Sequence, residues 1–263
     1  MPYQGVLVAS IFLYICFMNN KYIFTFLLII TATAVFAQNR LNHSNNIGWV
    51  TTTITPAISK KLSGHIEYQW RRAEWGNAWQ QSILRTGLNY KFNPQATSHI
   101  GYAWILTYPY GDYTIAAVGK TFPEHRIYEQ LVMTGTVGKV SFTHRIRLEQ
   151  RWLGKLYTMN SDQPDEWVYL NRARYMCRAD VPVHKKIYAA AYDEILIGFG
   201  KNVGENIFDQ NRISMMAGYK FNKHFRAEAG YINQTVQLGR EITNKNMIQY
   251  NNGFIINTYV NLN

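Results

Sequence analysis

Residues 139–153 read KVSFTHRIRLEQRWL. Val140, Phe142, Ile146, Leu148 and Trp152 alternate there with Ser141, Thr143, Arg145, Arg147, Glu149 and Arg151. Successive side chains of a strand point to opposite faces. A period of two therefore builds one apolar face and one face crowded with arginine. A charge turned to lipid at mid-depth costs ~2–4 kcal/mol. The segment is thus expected to present its apolar face to acyl chains and its arginines to a polar lumen.

The same pattern recurs along the chain. Segment 79–92 sets Leu84, Leu88, Tyr90 and Phe92 against Gln81, Arg85, Asn89 and Lys91. Segment 207–221 sets Ile213, Met215, Ala217, Tyr219 and Phe221 against Gln210, Arg212 and Ser214. Segments 223–236 and 246–262 alternate in the same way, the former with Arg226 and Glu228 on its polar face. Strands are predicted at 46–58, 63–73, 79–92, 97–108, 125–137, 139–153, 167–181, 186–199, 207–221, 223–237 and 246–262. Tight turns alternate with longer links at 109–124, 154–166, 200–206 and 238–245, the habit of a transmembrane barrel. The expected fold is an all-β, antiparallel, up-and-down barrel. Single-chain bacterial barrels have even strand counts, so about twelve strands are expected. The twelfth would lie in 38–45 or 109–124. Ten is the alternative, if 46–58 is not a barrel strand.

Two apolar runs open the chain, Val6 to Phe17 and Tyr22 to Ala37. Met18-Asn19-Asn20-Lys21 before the second run, and Val35-Phe36-Ala37 at its end, have the anatomy of a secretory signal peptide cleaved after Ala37. The expected organisation is a signal peptide over 1–37, with Met18 as the natural start, and one barrel domain over 38–263. Neither run reaches the ~20 residues of a spanning helix, and no later stretch comes near it. Lipid cannot satisfy free backbone groups, so a closed sheet is the way left to cross it. After cleavage Cys177 is the one remaining cysteine, which excludes an intrachain disulfide.

The net charge of +11 raises the question of nucleic acid. Basic and aromatic residues segregate to opposite strand faces, whereas a nucleic-acid platform needs both on one face. Outer-membrane lipid and lipopolysaccharide phosphates suit this charge better, with a small anionic solute as a candidate ligand. Aromatics near the strand ends, among them Trp70, Trp79, Tyr90, Phe92, Trp152, Trp167, Tyr219 and Phe221, suit interfacial girdles.

A family likeness rests on Glu124-His125-Arg126-Ile127-Tyr128-Glu129-Gln130 and on Thr143-His144-Arg145-Ile146-Arg147-Leu148-Glu149-Gln150-Arg151. Trp49, Lys60-Lys61, Tyr68-Gln69-Trp70-Arg71 and Gly101-Tyr102 add to it. Over roughly 45–262 the chain resembles the DUF2490 family, uncharacterised predicted outer-membrane proteins of Bacteroidetes. The resemblance implies a barrel in the outer membrane and no particular activity.

The residues expected to line the lumen are Arg85, Arg126, Arg145, Arg147, Glu149, Arg151, Arg172, Arg174, Glu194, Arg212, Arg226 and Glu228. Arginine's planar fork pairs with a carboxylate through two bonds, so a lumen packed by Arg–Glu contacts is the plainer expectation. A narrow pore or an anion site is the functional one. Asp193 and His144 interrupt apolar faces, and each is expected at an interface or turned inward by a bulge. The His residues show no ligand spacing and no phosphate loop appears, so no metal, cofactor or catalytic residue is expected. Two alternatives stand beside the membrane barrel. One is an outer-membrane lipid hydrolase, although no His lies two residues before a Ser as in the phospholipase barrels. The other is a soluble periplasmic ligand-binding barrel, with apolar faces inward and arginines outward.

Overall fold

The computed structural model describes residues 40–204 and 206–262. The signal peptide expected over 1–37 lies outside these residues. Eleven strands follow one another: β1 (Leu41–Pro56), β2 (Leu62–Ala73), β3 (Ala78–Asn93), β4 (Ala96–Thr107), β5 (Phe122–Val137), β6 (Val140–Lys155), β7 (Glu166–Pro182), β8 (Ile187–Phe199), β9 (Phe208–Lys220), β10 (Phe225–Ile242) and β11 (Lys245–Leu262). Each pairs antiparallel with its chain neighbours, and β1 runs parallel to β11 to close the barrel.

The count corrects the expectation of twelve strands, and also the alternative of ten. Residues 41–45 are the leading part of β1, paired with 247–251 of β11. Residues 108–121 leave the sheet altogether. The stretch 46–56 is a barrel strand with ladders to both β2 and β11. Strand direction alternates around an up-and-down sheet, so an odd count brings the first and last strands together pointing the same way. They can then close only through a parallel ladder.

The connections define two rims. At one, the turns 57–61, 94–95, 138–139, 183–186 and 221–224 are short. Local chemistry sets several of them. The Asn93 side chain accepts from the backbone N–H groups of Gln95 and Ala96, both at 2.8 Å. Asn222 does the same for His224 and Phe225, each an Asx-type turn. The other rim carries the longer links 108–121, 156–165 and 200–207. The loop expected at 238–245 is instead a two-residue turn. Thr243 and Asn244 both take positive φ, 50° and 58°, the backbone of a type I′ hairpin. β10 and β11 therefore project together, with a bulge in β10 between Gln237 and Glu241.

Sidedness follows the alternation. Ile127, Ile146 and Leu148 are 43–44 % exposed on the outside, whereas Arg147 and Glu149 are 4 % and 1 % exposed within. The interior also holds apolar patches. Ile47, Trp49, Tyr188, Met216 and Ile255 cluster on the β1, β8, β9 and β11 side. Ile83, Ala103, Ile105 and Tyr128 cluster on β3–β5. Tyr128 lies across Gly101, its register partner on β4. A Cβ there would stand 2.6 Å from the Tyr128 ring carbon Cζ, so glycine makes the recess in which the ring rests. Overpacking of this kind costs about 1–3 kcal/mol. Gly101→Val is expected to lower the unfolding midpoint accordingly, read from heat-modified gel mobility. An unchanged midpoint would mean that the ring has room to move aside.

Candidate functional site

The interior is organised by carboxylates, each held by several guanidinium groups. Glu149 on β6 accepts Arg172 Nη2 at 2.5 Å and Nε at 2.8 Å, and Arg174 Nη1 at 2.7 Å. Arg126 and Arg147 each bring a nitrogen to 3.7 Å from it. Glu194 on β8 takes both Nη2 contacts of Arg174, at 2.7 and 2.8 Å, and Arg145 at 2.7 Å. Arg212 stands 3.5 Å away. Closer to the loop rim, Glu124 holds Arg126 in a fork and accepts Arg151 Nε at 2.6 Å. Arg172 also reaches Asp209.

Towards the turn rim two smaller groups repeat the logic. Arg85 pairs with Glu67, whose other oxygen lies 3.6 Å from His65. Glu228 accepts from Arg178 at 2.6 Å and from the Tyr188 hydroxyl at 2.7 Å. Arg226 covers the Tyr259 ring, 4.2 Å from its centroid. The twelve residues named from sequence as lumen-lining thus all lie on inward-facing positions. They divide among a central network and these two turn-side groups.

Sequence reasoning missed several members. Arg71 and Arg178 share the alternation of their neighbours and were legible in principle. Arg71 donates to Gln69 and Gln81 and covers Trp49 at 3.7 Å. Asp209 was not legible. A register shift places it between Gln210, opposite Leu196, and Phe208, opposite Ile197. This bulge gives one strand an extra residue and re-aims its side chain.

The link 108–121 folds back into the mouth. Tyr110 is 4 % exposed. Its hydroxyl donates to Gln249 at 3.4 Å and accepts from Asn251 at 3.2 Å. Gln249 donates to the Tyr113 carbonyl at 2.5 Å, and Arg240 to the Thr114 carbonyl at 2.8 Å. Lys120 ties this link to the next by donating to the Met159 carbonyl at 3.1 Å. The inserted segment fills the β11 side of the mouth. A cavity of about 470 Å³ stays on the other side. Its floor includes Glu124, Arg126, Arg151 and Asp209, and its walls include Ile115, Phe122, Leu153 and Leu238.

On the outside, neither Asp193 nor His144 sits at a bulge; Asp193 is far from either strand end, whereas His144 lies four residues from the turn-rim start of β6. Asp193, at the middle of β8, accepts from Asn211 at 2.5 Å. His144 Nδ1 bonds the Tyr175 hydroxyl at 2.8 Å. Each polar group is met by a neighbour on the adjacent strand, so a local pair, and not a turned backbone, accommodates it. The soluble-barrel alternative needed apolar side chains within and arginines without, and the observed sidedness is the reverse.

A family model described as a protein of unknown function, DUF2490, matches residues 46–245. The chain belongs to the DUF2490 family. Among solved structures, this DUF2490 barrel is similar to one titled NanC porin, at 11 % identity and a TM-score of 0.46. The likeness covers 81 % of this chain and 97 % of that one. No curated protein matches the DUF2490 chain. Among its described residues no group of three or more His, Cys, Asp or Glu is arranged to hold a metal ion.

Removing one partner from a buried ion pair costs about 3–5 kcal/mol, because it strands the other charge. Glu149→Gln keeps the shape and leaves Arg172 and Arg174 facing a neutral amide. A loss of stability of that size is expected by urea unfolding in detergent. Glu166→Gln, at the exposed start of β7, should stay within about 0.5 kcal/mol. Equal midpoints for the two variants would show that the network contributes little.

Proposed function

We propose that this chain is an integral outer-membrane barrel whose lumen is closed by its own ion pairs, so that it serves as a structural or surface-presenting element and not as an open pore. The observation that carries the reading is the pairing of an apolar exterior with a filled, charged interior. Two aromatic belts support membrane placement. At the loop rim, Trp70 meets Trp79 edge to face and Trp79 meets Tyr108 at a tilt, as Trp152 meets Tyr169 and His125 meets Trp167. At the turn rim, Tyr90 meets Phe92, Tyr219 meets Phe221, and Phe221 in turn meets Phe225. Trp79 and Tyr90 bracket the outer face of β3. At ~3.3 Å per residue and a tilt of ~40°, they stand roughly 28 Å apart along the barrel axis. The apolar band of such barrels is ~25 Å tall. Arg72 fits the same picture, with its guanidinium 4.6 Å over Trp79 and bonded to the Gly76 and Asn77 carbonyls at the rim. A long side chain there lays its stem on apolar surface and lifts its charge towards water.

Closure of the lumen rests on Arg172, Glu149 and Glu194, each at most 2 % exposed, with the 108–121 insertion above them. The expected result is recovery of the chain in the outer-membrane fraction of cells, released by detergent and not by carbonate. Recovery in the soluble periplasm would overturn the membrane placement. In planar lipid the purified protein should show no unitary conductance steps. Steady steps would overturn the closed lumen while leaving the placement intact.

A further inference from the structure

We infer that the cavity at the loop rim is a binding site for a small amphiphile with an acidic head, of the chemical class of a medium-chain carboxylate. The cavity's volume, about 470 Å³, lies within the ~300–1,000 Å³ usual for small-ligand pockets. Its composition has two parts. Ile115, Phe122, Leu153, Val203 and Leu238 supply apolar wall. Arg126, Arg151, Lys155 and Arg240 supply four cations around the same space, against the two carboxylates of Glu124 and Asp209. The site therefore carries more positive than negative charge, and an anion would balance it.

Two cations have donor capacity left over. Arg151 gives Nε and Nη2 to Glu124, while its Nη1 stands 3.9 Å from Asp209, longer than a hydrogen bond. Arg240 gives Nη2 to the Thr114 carbonyl, and its buried Nε has no hydrogen-bond partner among the described residues. Both arginines are held by protein contacts, so little side-chain freedom is lost when an anion arrives. A carboxylate meets the cations of this cavity, and the tail lies along the apolar wall. A free inorganic anion would leave that wall without a partner. A neutral apolar molecule would leave the excess charge unmatched.

This inference does not rest on the closed lumen; it rests on the membrane placement, whose failure would show separately as a chain that does not incorporate into nanodiscs. Its test is equilibrium dialysis of labelled octanoate against the full barrel in lipid nanodiscs, with empty nanodiscs as the reference for partitioning. Saturable one-to-one binding is expected, with 1-octanol and inorganic phosphate each at least roughly tenfold weaker. Ala116→Trp fills the cavity from the 108–121 link, outside every strand, and should abolish binding while heat-modified mobility stays that of the parent. Arg240→Gln should weaken octanoate roughly tenfold or more and leave octanol unchanged. Non-saturable uptake equal to that of empty nanodiscs would overturn the site. So would full binding by a folded Ala116→Trp variant. Equal affinity for octanol or phosphate, or an unaffected Arg240→Gln variant, would overturn the assignment of an acidic amphiphile.

Discussion

A guanidinium group cannot be left unpaired away from water, and this barrel contains many of them. Taking a charge out of water costs several kcal/mol, recovered only where geometry and hydrogen bonds are good. The interior meets that condition by sharing. Glu149 serves Arg172 and Arg174 directly and lies near Arg126 and Arg147. Arg174 in turn bridges Glu149 and Glu194, from β7 to its two neighbours. The network thus ties adjacent strands together across the lumen, in addition to the backbone ladders. Where carboxylates run short, aromatic rings take their place, as Trp49 does beneath Arg71 and Tyr128 beneath Arg147. A ring face is a weaker partner than a carboxylate, yet it stabilises a cation whose water has been removed.

The exterior obeys the opposite demand with a few local exceptions. Glu129, facing outward between Ile127 and Leu131, meets Gln150 at 3.2 Å. Asn252 accepts from both Tyr231 and Asn233. Like Asp193 with Asn211, these are lateral pairs between neighbouring strands. A polar group on such a face is tolerable when its bonding capacity is used within the sheet.

Most of the strand pattern was open to inspection in the sequence, because a period of two survives over most of each strand and needs no distant information. The β6 segment shows why. Its arginines keep to one parity and its apolar residues, Leu153 at the loop end apart, to the other, and only one assignment of faces keeps that charge out of an apolar surrounding. Three features were hidden for physical reasons. Asp209 faces inward through a backbone irregularity that alternation cannot encode. Tyr110 and Tyr113 insert because Gln249 and Asn251, well over a hundred positions later in the chain, offer them partners. The Thr243-Asn244 turn carries no glycine, and a polar stretch there reads as a loop. The strand count failed in another way: eleven segments were visible, and a rule about even numbers moved the expectation away from them.

That odd count has a kinetic consequence. Ten of the eleven seams join strands that are neighbours in the chain, so a turn or a link of at most fourteen residues can nucleate them. The seam between β1 and β11 joins Ile47 to Gly253, and no hairpin can start it. Loop-closure entropy puts such a contact late in folding. Until it forms, the nascent sheet has two full-length unpaired edges, both able to recruit a foreign strand. The hazard of aggregation is therefore concentrated in one final step, and whatever machinery handles this chain must hold those two edges apart from other proteins until they find each other.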